Sequence, residues 1–335
     1  MSETMMASIY HEKKTITIEE KFLPELQEGW ALIKVEYSGI CGTDLNIYGG
    51  GHPRAKGPLV MGHEFTGSIE KHPTLSKGTL VTVRPILSCG VCEACQTGNT
   101  HVCENLRLIG IDRDGAMAQY VTAPVDEVIP LPLGISTKIG ALVEPFAVTV
   151  HAVRESSFKP GDDVIVFGAG PIGLCMAITL KLLGARKITI YEVQPYRSSI
   201  AKSLGFNVKN PIDECGDNNS SRYETAHIVY DCAAHPSVAS MLVDVTKVKG
   251  EIVLVGTYKN PTPIDLQNIT FKEITLRGTR VYTKRDFDIA IDMLTKEFPF
   301  EKIITHVVPL EKLQDGFQTL LKGDAIKILV DLNMD

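Results

Sequence analysis

Three glycines, Gly168, Gly170 and Gly173, stand between the apolar run 164–167 and an apolar stretch that opens with Pro171. A short strand that turns at once into a helix reaches its next strand only by crossing over that helix, which gives a βαβ unit and a parallel sheet. The G-x-G-x-x-G spacing gives each glycine its own task. The first allows a tight turn, the second lets the backbone approach a pyrophosphate, and the third lets helix and strand pack closely. A pyrophosphate would then rest on the helix N-terminus, where free N–H groups and the helix dipole favour an anion, with Pro171 and Ile172 completing the turn. Such a site expects an acid about 20 residues further on, bonded to the adenosine ribose. Glu192 follows Gly173 by 19 residues, at the end of ITIY. A carboxylate there repels a 2'-phosphate, so NAD is favoured over NADP. Arg197 and Lys202 nearby are the counterweight, since a basic side chain accommodates that phosphate.

At 335 residues the chain exceeds the size at which one core keeps growing, so two domains are expected. Up to about residue 150 it reads as short strands broken by Gly and Pro: ALIKVEYSG from Ala31, FTGSIEKH from Phe65 and GTLVTVRP from Gly78. From about residue 160 strands and helices alternate. Strands are expected at 164–167, 188–191, 228–231 and 252–255, and helices at 171–183, 195–204 and 238–248. The polar run CGDNNSS, 215–221, reads as an exposed loop. Beyond Gly278 come amphipathic segments at 286–296 and 310–321 and a closing strand, AIKILVDL. Periodicity alone does not assign that tail to either domain.

The formal charge of −6, from 34 basic and 40 acidic residues that are interspersed, gives no basic stripe for phosphates, so nucleic acid and anionic membrane surfaces are excluded as partners. The uncharged run 164–180 contains three Gly and a Pro and ends at Lys181, too short and broken for a membrane span. The first residues, MSETMMASIYHEKK, have neither a basic leader nor an apolar core, which points to the cytoplasm. In that reducing compartment the eight cysteines favour metal ligation over disulfides.

Cys89, Cys92, Cys95 and Cys103 form a C-x2-C-x2-C-x7-C run. Four thiolates so close can close a tetrahedral zinc shell at about 2.3 Å and thereby hold a lobe, about 85–110, without an open position for chemistry. An iron–sulfur cluster is the alternative. A different set is dispersed: Cys41 in CGTD, the pair His63-Glu64 in MGHEF, and Glu144 in LVEPF. Together they offer soft, borderline and hard ligands that suit a second, catalytic zinc. Glu144, among apolar neighbours, costs free energy to bury unless it is paired or bound to a metal.

In their order, CGTD, GHEFTG, the four-cysteine lobe, DGAMAQY, LVEPFAV, FGAGPIG and THVVPLEKLQDGF make the chain similar, over nearly its whole length, to the zinc-dependent medium-chain dehydrogenases and to their polyol branch. The resemblance implies an α/β chain with a GroES-like, β-rich catalytic domain at 1–148 and 280–335, and an inserted Rossmann domain, a doubly wound parallel sheet, at 149–279. It implies that the tail returns to the catalytic domain and that the protein is a homodimer or homotetramer. Carried over by position, Cys41 and His63 would bind the catalytic zinc with Glu64 as third ligand, while Glu144 falls where relatives place a further ligand or a nearby carboxylate. Glu64 and Glu144 both stay open as the third ligand. Asp44 would orient His63, Thr43 would pass the substrate proton outward, and Tyr48 and Tyr282 would line the substrate cleft. There are departures. The relay position five residues after Cys41 is Asn46 rather than His, and the residue before Tyr282 is Val281 rather than Arg, with Arg280 one step earlier.

The implied activity is NAD-linked oxidation of a secondary alcohol of a polyol or sugar-derived substrate, with two zinc ions per chain. Its rivals are threonine, 2,3-butanediol and polyol-phosphate dehydrogenases; Arg54-Lys56 or Lys284-Arg285 would hold a phosphate. A catalytically idle NAD-binding sensor is the rival of another class.

Overall fold

Buried and exposed positions alternate along Trp30–Gly39, and a longer buried run fills Glu64–Lys71, so these two antiparallel strands form the middle of a sheet. The computed structural model describes residues 3–213 and 223–333. Its contacts divide the chain into two units, Met1–Glu144 with Thr283–Asp335, and Pro145–Tyr282. The junctions therefore fall a few residues from 148/149 and 279/280, because one helix, Val143–Glu155, runs through the first crossing.

In the first unit the strands Val128–Pro130, Leu80–Val83, Glu64–Lys71, Trp30–Gly39, Lys327–Asp331 and Ile304–Pro309 lie in that order across one sheet, and Tyr120–Pro124 also pairs with Trp30–Gly39. The tail is part of this sheet, with Leu329 opposite Gly39 and Asp331 opposite Tyr37. Lys327–Val330 is buried throughout, a continuous run rather than an alternation, as expected of a strand covered on both faces.

In the second unit six parallel strands lie in the order Asn207–Lys209, Lys187–Tyr191, Asp163–Phe167, Ala226–Asp231, Thr246–Leu254 and Thr275–Gly278. In chain order this is 3-2-1-4-5-6, the doubly wound arrangement. Ile165, Phe167, Val229, Leu242 and Ile252 meet in its core, and burial of each such side chain contributes about 1.5–3 kcal/mol.

Two elements depart instructively from the sequence expectation. The helix expected at 238–248 is Pro236–Val245, because Thr246 already pairs with Ala226; the strand then bulges, with Lys249 at φ +58°, before Glu251 meets Ile228. The segment 310–321 divides into a 3-10 turn, Leu310–Lys312, and the helix Leu313–Lys322, which Gly323 closes at φ +84°. The loop expected at 215–221 lies outside the described residues. Among those residues no helix is long and apolar enough to cross a membrane.

Candidate functional site

The glycine turn follows the sheet's first strand. Gly168 sits at φ +92°, which a side chain disfavours, and a Cβ on Gly173 would collide with the Gly168 carbonyl as the helix Pro171–Leu182 passes over the strand. The Glu192 carboxylate ties this turn to the end of the second strand. Its Oε2 accepts Ala169 N–H and its Oε1 accepts Gln194 N–H, both at 2.7 Å. Each oxygen keeps a lone pair for a ribose hydroxyl. Beside the turn lies Arg197, whose Nη1 would stand 3.6 Å from a Cβ on Gly170 and whose buried Nε has no hydrogen-bond partner. A buried guanidinium N–H without an acceptor, next to a helix N-terminus, fits a phosphate-bearing ligand.

The four cysteines of the lobe converge as their spacing implies. Their sulfurs all lie within 4.8 Å of one another, with Cys89 and Cys95 at 4.0 Å and Cys92 and Cys103 at 3.9 Å. Zinc–sulfur bonds of about 2.3 Å place tetrahedral ligands roughly 3.8 Å apart, so the group fits zinc with little adjustment. Backbone N–H groups support the sulfurs: Cys92 N–H donates to Cys89 Sγ, and Cys89 and Asn105 N–H donate to Cys103 Sγ. The Val91 and Cys92 amides draw the Cys89 thiol down to about 6, whereas burial and the Cys92 thiol push Cys95 up to about 12. A tetrad that resists full ionisation alone is one that a divalent cation completes.

The second group is assembled from distant segments. Cys41 caps the helix Gly42–Tyr48, and Asp44 in its first turn accepts Cys41 N–H at 2.8 Å. The other Asp44 oxygen stands 3.5 Å from His63 Nδ1, and both atoms are buried without a hydrogen-bond partner. One ligand atom each from Cys41, His63 and Glu64 lies within 4.8 Å of the other two. Burial lowers the tendency of His63 to hold a proton, yet the Asp44 and Cys41 charges outweigh it and leave the imidazole well above its ordinary range. A cluster that draws positive charge so strongly fits a metal cation, with Asp44 aligning Nδ1 so that Nε2 is offered as ligand.

Glu64 itself is held by a residue the sequence reading passed over. Lys327 Nζ donates to Glu64 Oε2 at 2.6 Å and to the Ile40 carbonyl at 3.2 Å, with Lys327 and Glu64 each 1% exposed. Gly39 makes room, since a Cβ there would collide with Glu64 Oε2. The signal was a lysine heading the apolar run ILV of the closing strand AIKILVDL.

Glu144 stands outside the three-residue group, buried in the first turn of the helix Val143–Glu155. Thr43 is half-buried beside Asp44. Tyr48 is buried; its ring stacks on Phe317 at 4.9 Å, and its hydroxyl accepts from Gln314 and Gln318 at 3.4 Å, contacts that dock the helix Leu313–Lys322. Tyr282, also buried, closes the second unit just before the Thr283–Asp286 capping box. Arg54 donates to the Leu106 carbonyl and stands 3.4 Å from Asp112.

Comparison with known proteins matches residues 27–133 to the alcohol dehydrogenase GroES-like domain and residues 171–296 to the zinc-binding dehydrogenase family. The chain is 33% identical to 2-dehydro-3-deoxy-L-galactonate 5-dehydrogenase of Pseudoalteromonas atlantica, over 99% of this chain and 100% of that one. It is 34% identical to L-threonine 3-dehydrogenase of Caldanaerobacter subterraneus, over 98% of each. Its fold matches a zinc-binding dehydrogenase from Sinorhizobium meliloti bound to NADP with a TM-score of 0.91 and 27% identity, covering 98% of this chain and 99% of that one.

Proposed function

The chain belongs to the zinc-dependent medium-chain dehydrogenases, in their polyol branch, and on that premise we propose that it oxidises a secondary alcohol of a sugar acid or polyol to the ketone with NAD. The observation that carries this reading is the convergence of Cys41, His63 and Glu64. These three would hold the catalytic zinc, and the tetrad Cys89, Cys92, Cys95 and Cys103 a structural one, giving two per chain. When bound, zinc supplies Lewis acidity that lowers the pKa of a substrate hydroxyl, and the dinucleotide supplies the acceptor for the hydride.

The protein's own residues do the rest. Asp44 fixes the His63 ring through Nδ1, and Lys327 fixes the Glu64 carboxylate through Oε2. Thr43 receives the proton that leaves the substrate hydroxyl and passes it outward. Asn46 cannot take it up, because an amide does not titrate near neutral pH, so the path continues to solvent without it. The glycine turn, Glu192 and Arg197 would hold the dinucleotide. NAD is favoured because a 2'-phosphate would meet the Glu192 carboxylate.

A sugar acid is the preferred substrate class, in keeping with the galactonate-type relative. Threonine is the second reading, since that relative is as similar, and Asn46 in place of the relay histidine weighs against it. A phosphorylated substrate is less favoured because Arg54 is already engaged by Leu106 and Asp112. A screen of NAD reduction across sugar acids, polyols, threonine, 2,3-butanediol and sugar phosphates tests the proposal. Fastest turnover is expected with a sugar acid or polyol, and turnover with threonine alone would overturn the substrate class.

A further inference from the structure

The doubly wound order places its switch point between Asp163–Phe167 and Ala226–Asp231, and in such sheets a ligand lies outside the carboxyl ends of the strands at that point. Glu192 marks the adenosine side, after the second strand. The nicotinamide half of a bound dinucleotide would therefore fall on the opposite side, over the ends of Ala226–Asp231 and Thr246–Leu254. One side chain ties the turns at those ends together. Asp231, 0% exposed, accepts Ala233 N–H at 3.0 Å and Ala234 N–H at 2.9 Å on Oδ1, and the Tyr258 hydroxyl at 2.6 Å on Oδ2. Its backbone carbonyl accepts Val255 N–H at 3.0 Å and Gly256 N–H at 2.8 Å.

The turns so joined are tightly fitted. A Cβ on Gly256 would stand 2.8 Å from Ala234 Cβ, and one on Gly168 would stand 3.4 Å from Ala233 Cβ. Ala234 is held at φ +49°, a conformation of the left-handed region that a non-glycine residue keeps only when its surroundings enforce it. The Asp231 carboxylate enforces it, and the half-buried Tyr258 closes the carboxylate from the far side. Burial, and then the hydrogen bond to Asp231 and its charge, raise the Tyr258 phenol above its usual range, so it stays a donor at working pH.

We infer that Tyr258 is a positioning residue for the nicotinamide half of the dinucleotide: its hydrogen bond to Asp231 locks the 255–258 turn to the 232–234 turn and fixes the surface those turns offer the cofactor. The inference rests on the dinucleotide reading above. It involves no residue of the glycine turn or of the metal groups, and Tyr258 need not touch the ligand.

The test is Tyr258→Phe in the full chain, titrated with NADH and separately with ADP, which carries only the adenosine half. The Kd for NADH is expected to rise about tenfold, the size of one hydrogen bond to a charged group, while the Kd for ADP stays within about twofold. The KM for NAD should rise in parallel with the NADH Kd. Equal weakening of both ligands, accompanied by a lowered melting temperature, would show a bond that serves only the fold and would overturn the inference. Unchanged affinity for both would overturn it as well. Failure of the unsubstituted protein to bind either ligand would overturn the dinucleotide reading itself, and this inference with it.

Discussion

Two groups of side chains able to hold a metal ion lie in the first unit, and they are built in opposite ways. The cysteine tetrad comes from one short stretch, 89–103, uses a single kind of donor, and is supported by the backbone amides of that same stretch. The Cys41–His63–Glu64 group draws on three kinds of donor from two segments, and its carboxylate answers to Lys327, 263 residues further on. In the first arrangement, four donors of one kind would fill every position around an ion and leave none for a reacting group. The second leaves the ligands unequal, and inequality is what a reacting site needs.

The two halves of that contrast fail differently when a cysteine is lost. Cys41→Ser should lower turnover roughly 10³-fold or more while melting stays nearly unchanged, since serine still caps the helix; turnover and thermal melting on one preparation check this. Retained activity would break the distinction at once. Cys95→Ser should do the reverse, lowering the melting temperature by on the order of 10 °C while turnover per folded molecule persists; melting with and without a chelator is the measurement. Lys327→Met leaves Glu64 as a buried charge without its partner and should cost about 3–5 kcal/mol in denaturant unfolding, with part regained in the double variant carrying Glu64→Gln. The smallest effect is expected from Asp44→Asn, which should weaken zinc retention about 10–100-fold in chelator competition without altering the tetrad.

The same contrast governs what could be read from the sequence. The tetrad was legible because its ligands are neighbours along the chain, and the glycine turn because strand, motif, helix and Glu192 follow in register. Cys41, His63 and Glu64 were nameable through resemblance, but the ion pair that holds Glu64 was not, because Lys327 reaches it only after the tail pairs with Trp30–Gly39. In the sequence Asp231 stands only as the end of a strand. Its work depends on turns that meet in space, and no periodicity carries that information. The helix boundary at Val245 moved for a similar reason: pairing of Thr246 with Ala226 overrides the local helical pattern.

Lys327 also sets a timetable. Synthesis proceeds from the N-terminus at about 5–20 residues per second, so the 263 residues that separate Glu64 from its partner take roughly 13–53 s to add. Through that interval a nascent chain carries Cys41, His63 and Glu64 without the strand that supports them. Metal captured then would meet a carboxylate free to swing, whereas metal captured after the strand docks meets one already aimed. The tetrad, complete once Cys103 is made and supported by its own stretch, needs no such late partner.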